Sequence, residues 1–120
     1  MTTTYGIVGC GMMGREHIRN IALMDDATVG AILEPDPDMS AAALALAPGA
    51  VIVDSLEALL AHRPLDCLLI ASPNHCHAGQ LIQIAAKASL PILVEKPLFT
   101  NPADLVAIDS FRKDYGAPVW

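Results

Sequence analysis

Near the N-terminus a short apolar run, Tyr5-Gly6-Ile7-Val8, leads directly into Gly9-Cys10-Gly11-Met12-Met13-Gly14, and a helical pattern follows from Arg15. No other stretch limits the possible folds so tightly. Each glycine of this G-x-G-x-x-G run meets a geometric need. Gly9 permits a tight turn out of a strand, and Gly11, without a Cβ, lets a diphosphate come up against the backbone. Gly14 lets the next helix pack close to the strand. That helix presents unpaired N–H groups and the positive end of its dipole to phosphates. The same pattern elsewhere is a weak signal, and its setting between a strand and a helix is what gives it weight.

The rest of the chain repeats the strand-then-helix rhythm. Tyr5 to Gly9 reads as the first strand and Arg15 to Leu23 as the first helix. Thr28 to Glu34 is a second strand, apolar on both faces as a central parallel strand should be. Asp38 is the expected cap of a helix over Met39 to Ala47, ended by Pro48-Gly49. Ala50 to Val53 is a third strand, and Asp54 with Glu57 reads as a capping box for a helix through His62. Leu65 to Ala71 is a fourth strand, followed by a helix from about Cys76 to Ala88. Pro91 to Glu95 is a fifth strand. Asn101 and Pro102 suit the start of a last helix that ends before Gly116. Pro118-Val119-Trp120 reads as a sixth strand just begun. The expectation is an α/β fold: one doubly wound parallel sheet of six strands, the last incomplete, in a three-layer αβα sandwich. Residues 1–120 form one domain, with no linker, repeat or low-complexity segment.

Composition narrows the function. The chain has 120 residues, 53% hydrophobic and 17% charged, which suits a buried sheet clothed by helices rather than disorder. A net charge of −6 argues against nucleic acid and anionic membrane as partners, since both favour a basic face. No apolar run reaches the length of a membrane span and no signal-peptide layout is visible. Cys10, Cys67 and Cys76 are odd in number and scattered, which suits a reducing cytoplasm.

Chemistry is carried by three further places. Glu34 ends the second strand about twenty residues past Gly14, where an acid reaches the adenosine ribose of a dinucleotide. Its carboxylate would accept from the 2′-hydroxyl and repel a 2′-phosphate. No Arg or Lys lies between Arg19 and Arg63, so NAD is expected over NADP. Ligands of such sheets bind outside the carboxyl ends of the strands, where strand order reverses. Two unusual loops reach that edge: Ser72-Pro73-Asn74-His75-Cys76-His77 and Glu95-Lys96-Pro97-Leu98. Lys96 is the candidate for catalysis. Beside a cationic nicotinamide, and with little solvent, its pKa should be lowered, so that it could hold or move a substrate hydroxyl proton. His75-Cys76-His77 invites a metal, but no second cluster with zinc-like spacing exists, so none is expected. His77 is expected in the first helical turn, touching cofactor. Cys10 lacks a companion base and reads as tolerated in a backbone-driven site. His17 and His62 read as helix-surface residues.

These motifs together resemble the N-terminal domain of the Gfo/Idh/MocA family (glucose–fructose oxidoreductase, inositol dehydrogenase, rhizopine catabolism). The resemblance rests on Gly9 to Gly14, Glu34-Pro35-Asp36-Pro37, Ser72 to His77 and Glu95-Lys96-Pro97-Leu98, and covers almost the whole chain. It implies a Rossmann domain followed by a larger α+β domain. It implies that Gly9, Gly11, Met12, Met13 and Gly14 hold the pyrophosphate and that Glu34 holds the adenosine ribose. Ser72, Pro73, Asn74 and His77 would line the cofactor cleft. Glu95 and Lys96 would approach the nicotinamide ribose, with Lys96 also reaching substrate, and the Lys96–Pro97 bond is cis in some members. The family's catalytic Asp and His belong to the second domain, outside these 120 residues. Trp120 falls inside the expected last strand, so a fragment, a processed product or a truncated gene is expected. Homo-oligomers form largely through that second domain.

Two functions of different class follow. One is an NAD-dependent oxidoreductase moving hydride between a nicotinamide and a secondary alcohol of a sugar or cyclitol. The other is a non-catalytic dinucleotide-binding module or sensor. The Ser72 to His77 and Glu95 to Pro97 loops speak against a methyltransferase or flavoprotein.

Overall fold

A computed structural model describes residues 1–120. Strand β1 (Thr3–Val8), helix α1 (Met12–Ile21), strand β2 (Ala27–Leu33), helix α2 (Pro37–Leu46) and strand β3 (Val51–Val53) make the first half. The second half holds α3 (Leu56–Ala61), β4 (Cys67–Ile70), α4 (His77–Ala85), β5 (Ile92–Val94) and α5 (Leu105–Asp114). Single 3-10 turns, Asn74–Cys76 and Pro102–Asp104, lead into α4 and α5. All the strands pair in parallel in the order β3-β2-β1-β4-β5. This is the expected α/β Rossmann-type sheet.

The strand count differs from the expectation. The sheet has five strands, and the expected sixth is a single parallel bridge between Val119 and Ile92. Trp120 still exchanges bonds with β5: its N–H donates to Ile92 O at 3.0 Å and its carbonyl accepts from Val94 N at 2.8 Å. Pro118 O also accepts from Ile92 N at 2.9 Å, so Pro118 to Trp120 run beside β5 without forming a full strand of the sheet.

Alternation along the strands splits the apolar side chains between two layers. Ile7, Val29, Ile32 and Leu69 face α1 and α2, meeting Ile18, Ile21 and Ala43. Val8, Ala31, Leu68 and Ile70 point to the other side, against Leu59 and Leu60 of α3, Leu81 and Ile84 of α4 and Phe111 of α5. Each fully buried Leu or Ile stabilises by about 1.5–3 kcal/mol. A one-residue slip of β1 would exchange the two layers, so the register is firmly set.

Helix starts lie a residue or two from the expected places. Asp36, not Asp38, caps α2, accepting from Asp38 N and Met39 N at 2.9 Å. Pro37 then takes the first helical position, where its missing N–H costs nothing. Ser55, not Asp54, caps α3, accepting from Ala58 N at 3.1 Å. Starting there brings Leu56, Leu59 and Leu60 onto one buried face. Asn101 caps the last helical segment as expected. No helix is long and apolar enough to cross a membrane.

Candidate functional site

The chain runs outward from β1 through β2 to β3, then returns to place β4 on the other side of β1. The turns after β1 and β4 therefore diverge and leave a crevice at their carboxyl ends. Here lies a cleft of about 660 Å³, within the range of small-molecule sites.

Its floor is the glycine turn. Gly9 has φ +85°, in the left-handed region. A Cβ on Gly9 would stand 2.4 Å from Ser72 Cα and 2.5 Å from Ser72 N, so the two loops touch backbone to backbone. A Cβ on Gly14 would stand 2.3 Å from the Gly9 carbonyl oxygen, so Gly14 sits beneath the turn and seats α1 against it. Gly11 differs: nothing lies within 4 Å of its Cβ position, and that face opens into the cleft. Gly11 is also the N-cap of α1 and makes no side-chain cap bond, and no acid lies in the first turn. The leading N–H groups of α1 thus have no side-chain acceptor. Met12 and Met13 lie beside them on the cleft wall, both exposed.

Glu34 stands just past β2 on the same cleft. One carboxylate oxygen accepts from Cys10 N at 2.9 Å and the other from Asp36 N at 3.0 Å. The side chain is thereby anchored, yet a carboxylate has lone pairs left for further donors. Arg15 Nη1 donates to the Cys10 carbonyl at 2.9 Å, which places a cation against the glycine turn. Burial foremost, then the Glu34 carboxylate, pushes the Cys10 thiol up to about 12, and its side chain is fully buried.

Ser72, Pro73 and Asn74 form the opposite wall, with Glu95 and Lys96 at the far end. Ser72 Oγ donates to Gln80 Oε1, which brings Gln80 of α4 to the wall. The Lys96–Pro97 peptide bond is cis. Lys96 is exposed at the rim of the cleft. Glu95 accepts from His17 Nε2 at 2.6 Å. That bond, with the imidazole charge and the Lys96 backbone N–H helping, holds the Glu95 carboxyl below its ordinary 4.5.

His77 was expected on the cleft wall and lies behind it. Its ring is fully buried; Nδ1 faces Pro97 O at 2.7 Å and Nε2 faces Ser72 O at 2.8 Å. Both contacts are hydrogen bonds at once only when both ring nitrogens carry protons. The His is a tie between the two loops, with no ring nitrogen free for a ligand. No three His, Cys, Asp or Glu side chains converge as a metal site, and His75 stays exposed. Met39, Cys76 and Gln80 also line the cleft and were not singled out as site residues from sequence. Helical spacing does carry one missed signal: His17 is three residues past Gly14 and four before Ile21, on the side of α1 that turns inward.

Residues 3–120 match the model of an oxidoreductase family described as having an NAD-binding Rossmann fold. The chain is 41% identical over 123 residues to the inositol 2-dehydrogenase of Leifsonia xyli subsp. xyli, covering 98% of this chain and 36% of that protein. It is 44% identical over 114 residues to the inositol 2-dehydrogenase of Corynebacterium glutamicum (strain R), covering 94% and 34%. The WlbA dehydrogenase of Bordetella pertussis, solved in complex with NADH and UDP-GlcNAcA, superposes with a TM-score of 0.85 at 29% identity. That match covers 100% of this chain and 36% of the WlbA chain. The chain thus spans about a third of the length of the curated relatives it matches. With the glycine turn, the acid after β2 and the Lys96 loop on one cleft, the chain belongs to the Gfo/Idh/MocA oxidoreductase family, whose NAD-binding Rossmann fold it carries.

Proposed function

We propose that these residues form the coenzyme-binding domain of an NAD-dependent dehydrogenase acting on a secondary alcohol of a sugar or a cyclitol such as inositol. One observation carries the reading: a single cleft joins the open Gly11 face, the anchored Glu34 carboxylate and the Lys96 rim. The residues fit the group. The space above Gly11 and the uncapped amides of α1 suit a diphosphate. Glu34, held by two backbone amides, suits a ribose diol and would repel a 2′-phosphate, which favours NAD over NADP.

When bound, NAD supplies the hydride acceptor. The chain's own contribution is placement and proton handling. Ser72, Pro73 and Asn74 wall the cleft toward the nicotinamide. Lys96 Nζ is the group assigned to hydrogen-bond the substrate hydroxyl and help move its proton as the carbon is oxidised. Supporting the choice of substrate class are the two inositol 2-dehydrogenases above 40% identity. A narrower reading, a dinucleotide-binding module without turnover, draws on the cleft alone.

Fluorescence titration of the chain with NADH and NADPH tests the binding half. Absence of NADH binding overturns both readings. Myo-inositol-dependent NAD reduction, measured in a polypeptide carrying this domain at its relatives' length, separates them. There Lys96→Ala should cut kcat far more than it weakens NADH binding. Equal loss in both would remove Lys96 from the chemistry.

A further inference from the structure

The loop carrying Lys96 is held on each side by an imidazole from a different helix. Glu95, just before it, is gripped by His17 of α1 at 2.6 Å, and the two side chains are only 22% and 23% exposed. Pro97, just after it, is gripped by the buried His77 of α4 at 2.7 Å. His77 also reaches Ser72 O, so that tie stays within the nicotinamide end of the cleft. His17 does something else. It lies in the second turn of the helix whose first turn faces the open Gly11 position. Its partner is 78 residues away, on the far wall. The bond therefore ties the helix that starts at the glycine turn to the loop that carries Lys96.

We propose that His17 is a positioning residue: through Glu95 it locks the Lys96 loop to α1, so that a ligand seated on the glycine turn also sets the place of Lys96. The proposal rests on the dinucleotide reading of the cleft. A carboxylate oxygen at 2.6 Å can only accept, so the contact has Nε2 donating to Oε1 of Glu95. A hydrogen bond to a charged acceptor in a half-dry site is among the stronger single contacts available. Precise placement of a reacting group depends on such supports. Coupling between two ends of one site follows when a ligand orders the element that both share.

The test compares NADH with ADP-ribose, which carries the adenosine and the diphosphate but no nicotinamide. Both are titrated calorimetrically against the chain, His17→Ala and His17→Gln. His17→Ala should weaken NADH about tenfold or more and leave ADP-ribose within about twofold. His17→Gln, whose amide can donate to Glu95, should recover most of the NADH affinity. Equal weakening of both ligands would mean that α1 itself is damaged, and no weakening would mean that the link is idle; either result overturns the proposal. Should the unaltered chain bind neither ligand, the dinucleotide reading fails by itself. The link is then judged by NMR: the ring nitrogen resonances of His17 must shift on Glu95→Gln, and unmoved resonances overturn it.

Discussion

Gly9 and Gly11 stand two residues apart in one turn, yet alanine should do opposite things at them. At Gly9 the new Cβ meets Ser72 Cα at 2.4 Å and Ser72 N at 2.5 Å, both backbone atoms that cannot rotate away. The φ of +85° adds the left-handed penalty, roughly 1–2 kcal/mol. Overpacking against fixed atoms typically adds about 1–3 kcal/mol. The sum, about 2–5 kcal/mol, is a large part of the roughly 5–15 kcal/mol that holds a domain folded. At about 4 °C per kcal/mol for a chain of this size, Gly9→Ala should melt about 8–20 °C lower. At Gly11 the Cβ meets nothing within 4 Å and φ is −61°. The stability cost there is the small N-cap difference, less than about 1 kcal/mol. What it takes away is room for the diphosphate at the amides. Losing one charge-assisted bond weakens NADH about tenfold to a hundredfold. Thermal melts followed by circular dichroism, and NADH titrations at a temperature where both variants are folded, read the two effects separately. If Gly11→Ala melts as low as Gly9→Ala, or binds NADH undiminished, the assignment of turn and binding face is wrong.

Glu34→Ala should weaken NADH and narrow the preference over NADPH by about tenfold, the scale of one bond to a charged group; an unchanged NADH to NADPH ratio would remove Glu34 from coenzyme choice. Burial holds the Cys10 thiol up to about 12 and the Cys67 thiol up to about 11. At about pH 8 the buried Cys10 should therefore react with a disulfide reagent such as DTNB only as the chain unfolds and the partly exposed Cys67 only slowly, and rapid native-state labelling of Cys10 would contradict its buried placement. Because the Glu95 carboxyl is held below its ordinary 4.5 in the folded chain, its stabilising share is whole above that pH and is lost as pH falls through the folded value. Urea midpoints of the parent and Glu95→Gln should therefore begin to draw together as pH falls from about 4.5 and meet below the folded value, and a gap that never narrows would contradict the His17 pairing.

The framework of the sheet was legible because each of its main strands is written in apolar runs bounded by Gly or Pro, and because β1, β2 and β4 are buried on both faces. Glu34 was legible because its position depends on one short strand and one turn. The caps were less so. Asp36 and Asp38, or Asp54 and Ser55, are chemically near-equal candidates, and the choice between them falls to whichever phase buries Ala43, or Leu56, Leu59 and Leu60. Pro118 to Trp120 had strand-like composition, but strand length depends on pairing, which composition does not carry. His77 and His17 were misjudged for a shared reason. Periodicity tells which way a side chain leaves its own helix, and nothing about Pro97 or Glu95 arriving from 20 and 78 residues away. Lys96 was placed at the cleft by the topology of parallel sheets, and the structure has it on that rim.

The backbone contact between Gly9 and Ser72 has a consequence for how such a protein can be altered. Where two main chains meet with no side chain between them, neither loop can be lengthened, shortened or given bulk without the other yielding. Attempts to redesign coenzyme choice or substrate reach should therefore leave this seam alone and work at the periphery. Met39 and Gln80 line the cleft there without holding a main-chain group through their side chains, whereas Glu34 carries two backbone amides.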